Sequence, residues 1–179
     1  RGDPARRPAH ATGPPSPPHA STLAAAGATA SAGDPSADKI ARSRAAAEAA
    51  EGKVECHPGE LADLGLVSSG SIDLAIAAHS LGMVDDLPRL LRQVHRVLKP
   101  DAAFVIAVLH PVYAMFGDRS TATTATAAYG ASGHTFSELY MAIERSNFHL
   151  DAMHELSDNR ARDPLSPTVL VLRTRKQGV

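Results

Sequence analysis

Polar side chains that could bind or react with a small molecule follow four predicted strands of this chain. Asp34 and Glu60 carry carboxylates, which accept hydrogen bonds, while His79 and His110 carry imidazole rings, which exchange protons near neutral pH. Ligands of open α/β sheets bind beyond the carboxyl ends of the strands. We therefore expect Asp34, Glu60, the stretch 77–79 and His110 to converge on one edge of a sheet.

Strands and helices alternate along the sequence and would position these residues. Short apolar segments predict six strands, at residues 28–32, 53–57, 72–77, 102–109, 149–156 and 168–175. Helices are expected at residues 36–50, 86–98 and 135–147, the last of them capped by Thr135 with Glu138 three residues later. In the second helix Arg96 should point outward, and the apolar residues that share one face are Leu87, Leu90, Leu91, Val94, Val97 and Leu98. This order predicts an α/β fold with a Rossmann-like, doubly wound sheet. The sheet should be mostly parallel, with the last two strands forming an antiparallel edge.

Composition limits the classes of function that remain open. The 179 residues predict one domain, and a net charge of −1 gives no basic surface for nucleic acid. The single cysteine, Cys56, excludes an internal disulfide and favours a reducing compartment, so we expect a cytoplasmic protein. No apolar run reaches the roughly 20 residues of a membrane span. The nine histidines lack metal-ligand spacing, so no metal is expected.

The N-terminal residues have the composition of a disordered segment. Residues 1–21 are rich in Pro, Ala and Arg without apolar periodicity. We expect a disordered tail over residues 1–22 and a partial domain over residues 23–179. The absence of an initiator Met favours a fragment or a damaged start.

The segment 71–111 carries a family resemblance. It reads SIDLAIAAHSLGMVDDLPRLLRQVHRVLKPDAAFVIAVLHP, and it resembles the fourth strand, helix and fifth strand of class I S-adenosylmethionine-dependent methyltransferases. Lys99-Pro100 matches the family phrase "hRVLKPgG", although Asp101-Ala102 replaces the usual Gly-Gly. The resemblance implies S-adenosyl-L-methionine as cofactor and methyl transfer to an O, N or C atom of a small molecule.

The resemblance also implies cofactor-binding positions. Asp34 matches the acid that bonds the ribose hydroxyls, and a carboxylate can accept both of those bonds. Glu60 matches an acid that meets the adenine amino group, and the amide of Leu61 would reach the ring. Ala77 matches a small residue beside the methionine part. As alternatives, Asp34 caps the helix that follows, and Glu60 is a solvated loop carboxylate.

One departure from the family concerns its first motif, a strand followed by a Gly-rich turn. Residues 1–18 read RGDPARRPAHATGPPSPP, with prolines in place of the glycines and no apolar strand before Gly13. We expect the central first strand to be missing, so that the sheet is incomplete at its N-terminus. Adenosine contacts would survive, the grip on methionine would be lost, and activity would be weak or absent.

The catalytic candidates are His110 first and His79 second, as a general base where the acceptor must lose a proton. The alternatives are that His110 caps its strand by bonding backbone and that His79 is structural. Apolar side chains after His110 would wall a substrate pocket or simply pack, namely Tyr113, Met115 and Phe116. Tyr129 and His134, in the long loop 116–132 or just after it, would reach the substrate from above or stay solvated.

Three functions therefore remain open from the sequence. The first is a small-molecule methyltransferase. The second is a catalytically inactive remnant of one, or a binding module. The third is a nicotinamide-dependent oxidoreductase, although G-x-G-x-x-G is absent.

Overall fold

One seven-stranded sheet organises the described part of the chain. The structure, a computed structural model, describes residues 8–12, 29–34, 38, 41, 45, 54–58, 63–79, 81, 84–116, 124–131, 133–157 and 166–178. In chain order the strands are β1 (Pro8–Thr12), β2 (Thr29–Asp34), β3 (Val54–Pro58), β4 (Ile72–Ala78), β5 (Leu98–Leu109), β6 (Phe148–Leu156) and β7 (Val169–Lys176). The described helices are α1 (Leu87–Val97), α2 (Phe136–Arg145) and a 3-10 turn at Tyr113–Met115.

The strands lie side by side in the order β3-β2-β1-β4-β5-β7-β6. The first five of these are parallel to one another, whereas β7 pairs antiparallel with both β5 and β6. The predicted fold class, a mostly parallel α/β sheet with an antiparallel C-terminal edge, is therefore confirmed. The predicted helix at 36–50 lies largely outside the described residues. Three residues of this range are described, and all three are helical: Asp38, Ala41 and Ala45.

The expectation of a missing first strand is wrong. Residues Pro8–Thr12 form β1, which pairs with β2 on one side and β4 on the other, at the centre of the sheet. Proline is tolerated at the first residue of a strand, which is where Pro8 stands. The expected disorder of residues 1–22 is thus corrected for these five, and the others lie outside the described residues.

The hydrophobic core consists mainly of buried residues from α1, α2, β4, β5 and β7, together with Phe148 at the start of β6. The five apolar residues of α1 predicted to share one face are all buried: Leu87, Leu90, Leu91, Val94 and Val97. Asp86 caps the helix by accepting a hydrogen bond from the amide of Arg89 at 2.8 Å. No helix among the described residues has the length and apolar character needed to cross a membrane.

The turn from α1 into β5 explains one departure from the family phrase. Two steps along β4, from Ile72 to Leu74, correspond to five steps along β5, from Leu98 to Ala103, so β5 carries extra residues here. Asp101 lies in this irregular part with a φ of 61°, a left-handed conformation that favours glycine. Aspartate is one of the few other residues that adopt it readily. Asp101 can therefore stand where the family has glycine.

Arg96 joins the loop before β4 to helix α1. Sequence periodicity predicted an outward position, but its guanidinium is partly buried and donates to the carbonyls of Leu64 at 2.7 Å and Val67 at 2.9 Å. It also donates to the hydroxyl of Ser69 at 3.1 Å. Since β4 begins at Ile72, this side chain, together with the bonds from the Gly70 and Ser71 amides to the carbonyls of Arg96 and Val97, holds the chain where it approaches the strand that leads to His79.

Replacing Arg96 with alanine should lower the free energy of unfolding by about 1–3 kcal/mol, because two backbone carbonyls lose their donors. Chemical denaturation measures this directly. The matched control is Arg92→Ala, since Arg92 is exposed on the same helix and its loss should change stability by less than about 0.5 kcal/mol. Equal effects of the two substitutions would contradict the assigned role of Arg96.

Candidate functional site

The parallel register aligns the carboxyl ends of three strands. Thr12, the last residue of β1, pairs with Gly33 on β2 and with Ala77 on β4. Asp34 and Ala78 each follow one residue later and end their strands. Because β1 separates β2 from β4, the ends of these two strands lie about 10 Å apart. The sheet thus brings the backbones of Asp34 and residues 77–79 to one edge, as predicted.

A cavity of about 290 Å3 lies at this edge, beside the ends of β4 and β5. Its wall combines the end of β5, the 3-10 turn, the residues before α2 and one side of α2. The described lining residues are His79, Val108, Leu109, Pro111, Ala114, Gly130, Gly133, His134 and Leu139. Most of these are apolar or glycine, and the polar side chains among them are the two imidazoles.

His79 directs the chain out of the sheet. It follows β4, has a φ of 56°, and its amide donates to the carbonyl of Ala107 on β5 at 2.7 Å. A left-handed residue turns the backbone sharply, and its strain is held here by that hydrogen bond. The His79 side chain is exposed and lines the cavity. One of the two predicted catalytic histidines therefore faces the cavity.

His110 is enclosed, and both of its ring nitrogens are engaged. The residue is 2% exposed and is not among the described residues that line the cavity. Its Nδ1 accepts a hydrogen bond from the amide of Val112 at 3.2 Å, which requires Nδ1 to be unprotonated. Nε2 then carries the proton and donates to Glu155 at 2.9 Å. This geometry favours the alternative in which His110 holds the end of its strand.

The ring of His110 also contacts α2. It lies edge-on to the ring of Phe136, with the ring centres 5.3 Å apart. His110 therefore links three elements near the cavity: the end of β5, Glu155 on β6 and the first turn of α2.

Of the four predicted cofactor-binding residues, the structure describes two, Asp34 and Ala77. Ala77 is fully buried within the sheet, so its side chain does not reach the cavity wall. The backbone of Asp34 ends β2 at the expected edge. Glu60 and Leu61 lie outside the described residues.

The loop before α2 forms the outer part of the cavity. The amides of Thr126 and Ala127 both donate to the carbonyl of Met115, at 2.7 and 3.0 Å, which ties the loop to the 3-10 turn. Tyr129 accepts a hydrogen bond from the amide of Phe136 at 3.1 Å, so its hydroxyl caps α2. Gly130 has a φ of 86°, and a Cβ there would lie 2.8 Å from the methyl group of Thr135. Only glycine fits this position without displacement.

His134 carries an unsatisfied polar atom at the cavity wall. Among the buried side-chain nitrogen and oxygen atoms in the described part of the chain, Nε2 of His134 is the one that has no hydrogen-bond partner. Nearby, Thr135 and Glu138 form the predicted capping box of α2. The backbone amide of Thr135 does most to hold the pKa of Glu138 below its usual value, and the Thr135 hydroxyl and the charge of His134 act in the same direction.

The sequence prediction missed most of the cavity wall. The three predicted wall residues Tyr113, Met115 and Phe116 are half-buried but not among the lining residues, whereas Ala114 is. Val108 and Leu109 gave a signal, because they end a strand next to a predicted site residue. Gly130, Gly133 and Leu139 gave none, since the long loop had no local pattern that placed it over β5. In the described ranges, no three His, Cys, Asp or Glu side chains group as metal ligands.

The edge fits the expected cofactor only in part. A carboxylate at the end of β2 is suited to the ribose hydroxyls of S-adenosyl-L-methionine. Residues 13–18, which follow β1, read GPPSPP, and four prolines leave only Gly13 and Ser16 with an amide hydrogen. The Asp34 carboxylate therefore offers an acceptor for the ribose hydroxyls, whereas residues 13–18 offer few backbone donors for the amino-acid carboxylate.

Comparison with known proteins identifies one family. Residues 13–106, slightly more than half of the chain, match the family described as "Methyltransferase domain". A 38-residue stretch is 53% identical to the mitochondrial arginine-hydroxylase NDUFAF5 of Mus musculus. That match spans only 11% of the length of the mouse protein.

Solved structures share the fold over nearly the whole chain. An S-adenosylmethionine-dependent methyltransferase from Mesorhizobium loti superposes with a TM-score of 0.77 at 21% identity, covering 98% of this chain and 94% of that one. A putative S-adenosylmethionine-dependent methyltransferase from Listeria monocytogenes superposes with a TM-score of 0.80 at 13% identity, covering 99% and 93%. At these identities the likeness is one of fold.

Neutral His110 should carry its proton on Nε2, because Nδ1 accepts from a backbone amide. Nitrogen-15 NMR of labelled imidazole rings distinguishes the two tautomers. The Nε2 proton should exchange slowly with water, and Glu155→Ala should speed that exchange by removing the acceptor without changing the tautomer. A proton found on Nδ1 of the neutral ring would contradict the assigned hydrogen bonds.

Proposed function

This chain belongs to the methyltransferase domain family, whose methyl donor is S-adenosyl-L-methionine, and we propose that it transfers that methyl group to a small molecule. The observation that carries the proposal is the cavity at the ends of β4 and β5, which lies at the edge where ligands of such sheets bind. Its volume, about 290 Å3, is at the lower end of the range for ligand pockets and favours a small acceptor.

Each residue at the edge has a proposed part. Asp34 accepts hydrogen bonds from the ribose hydroxyls, Glu60 and the amide of Leu61 meet the adenine, and the small residue Ala77 leaves the backbone at the end of β4 open to the cofactor. When bound, the cofactor supplies an activated methyl group. The protein then has to hold the acceptor in line with it, and such positioning alone accounts for several kcal/mol of a reaction barrier.

The two predicted catalytic histidines differ in their access to the acceptor. His79 lines the cavity and is therefore the better placed of the two to receive a proton from the acceptor. His110 would have to release the Val112 amide from Nδ1 before acting as a base, because its Nε2 already carries the proton that it donates to Glu155. We propose that His110 acts as a positioning residue, which holds β5 and α2 around the acceptor.

A second candidate, a catalytically inactive member of the family or a binding module, has one specific observation in its favour. The four prolines of residues 13–18 remove backbone donors directly after the central strand. We propose that this weakens the hold on the cofactor and lowers activity.

The match to the methyltransferase domain disfavours the nicotinamide-dependent alternative. The single cysteine, Cys56, supports a reducing compartment such as the cytoplasm.

Calorimetry with S-adenosylhomocysteine tests the proposed cofactor site. The chain should bind this product, and Asp34→Ala should weaken binding by roughly 10- to 100-fold, because a charged acceptor of two hydrogen bonds is lost. Glu144→Ala is the matched control, since Glu144 is exposed on α2. Absence of binding to the unmodified chain would favour the inactive alternative.

Replacing Pro14, Pro15, Pro17 and Pro18 together with glycine should restore backbone donors after β1. Affinity for S-adenosylhomocysteine should rise about tenfold, whereas affinity for adenosine should stay unchanged, because adenosine lacks the amino-acid carboxylate. An equal rise for both ligands, or for neither, would contradict the proposed effect of the prolines. A thermal melt of the variant checks that it remains folded.

A further inference from the structure

We propose that His134 is the residue that selects the acceptor, and that this acceptor is a neutral, largely apolar molecule bearing a hydroxyl group that bonds to Nε2. The inference rests on the proposed function, because it names the substrate class of the same cavity. It begins from the one buried side-chain polar atom without a partner in the described part of the chain, Nε2 of His134. Buried polar atoms are nearly always hydrogen-bonded, so an exception needs an explanation.

The position of His134 supplies that explanation. His134 lines the cavity, so its unpaired nitrogen lies where a bound molecule would be. The backbone on both sides of His134 is hydrogen-bonded: the Gly133 amide donates to the carbonyl of Gly130 at 3.4 Å, and Thr135 makes two bonds to Glu138, at 2.8 and 2.9 Å. A ring whose backbone is fixed at the first turn of α2 is suited to orient a ligand.

The rest of the wall defines the kind of molecule. Val108, Leu109, Pro111, Ala114 and Leu139 are apolar, and no Arg, Lys, Asp or Glu is among the described lining residues. A cationic group would find no carboxylate among these described residues, and an anionic group would find at most a protonated imidazole, so burying either charge here costs more than burying a neutral molecule. An apolar body of small size, with a single polar group directed at His134, satisfies both the wall and the unpaired nitrogen.

A hydroxyl fits that nitrogen better than other polar groups. Neutral imidazole has one nitrogen that donates and one that accepts, and either can be Nε2. A hydroxyl both donates and accepts, so it pairs with Nε2 in either tautomer. A carbonyl oxygen can only accept and would pair with one tautomer alone.

Phenol and toluene form a matched pair of probes, because they have the same shape and differ in the hydroxyl. Protein-observed NMR titrations of the whole chain should give a dissociation constant about tenfold lower for phenol than for toluene. Phenol, but not toluene, should shift the ring signals of His134. Benzoate, which is charged, should bind more weakly than phenol.

Two substitutions and one control make the test specific. His134→Phe should abolish the preference for phenol, whereas His134→Gln, which keeps a hydrogen-bonding side chain, should retain part of it. His149→Phe is the control, because His149 is exposed on β6 and is not among the described lining residues. Equal affinities of the unmodified chain for phenol and toluene, or a preference that survives in His134→Phe, would overturn the assignment.

The outcome separates this inference from the proposed function. Binding of S-adenosylhomocysteine without a preference for phenol would overturn the role of His134 and leave the methyltransferase proposal intact. A preference for phenol without binding of S-adenosylhomocysteine would support the hydroxyl site and overturn methyl transfer.

Discussion

The parallel pairing of β4 with β5 is the constraint on which the candidate site depends. It runs in regular register from Leu74 with Ala103 to Ala78 with Ala107, and it continues one residue further through the bond from the His79 amide to the Ala107 carbonyl. That last bond fixes the left-handed turn at His79. Because β5 extends two residues beyond Ala107, Val108 and Leu109 are left beside His79 to form one wall of the cavity. A shift of one strand by one residue in this pairing would turn its side chains to the opposite face of the sheet.

Local patterns predicted the elements whose structure depends on local interactions. Helix α1 follows from its apolar spacing, and α2 follows from the capping box of Thr135 and Glu138, which forms as predicted. These signals lie within one turn of the chain, so the sequence displays them directly. β1 has no such signal, because Pro8–Thr12 contains no large apolar residue and becomes a strand through its neighbours β2 and β4. Strand formation depends on tertiary context more than helix formation does.

The same distinction applies to the candidate site. The edge of the sheet could be predicted, since parallel strands must end together and His79 follows one of them. The outer wall could not, because the loop is held beside the 3-10 turn by bonds from Thr126 and Ala127 to the carbonyl of Met115, which no local sequence pattern indicates. The roles of the histidines were equally hidden. Position after a strand is the same for His79 and His110, yet the first is exposed and the second is bonded at both ring nitrogens.

Hydrogen-bond satisfaction therefore distinguishes His110 from His134 more sharply than sequence position does. His110 is buried and fully paired, which is the usual state of a histidine that stabilises a fold. In the same region of the molecule, His134 presents a buried nitrogen that has no partner among the described residues. Leaving that nitrogen unpaired costs stability, and the cost is recovered only when a ligand supplies the missing bond. Such an atom stabilises the complex with a ligand that bonds to it more than it stabilises the free protein. A residue that determines specificity requires this difference in free energy between ligands that can form the bond and ligands that cannot.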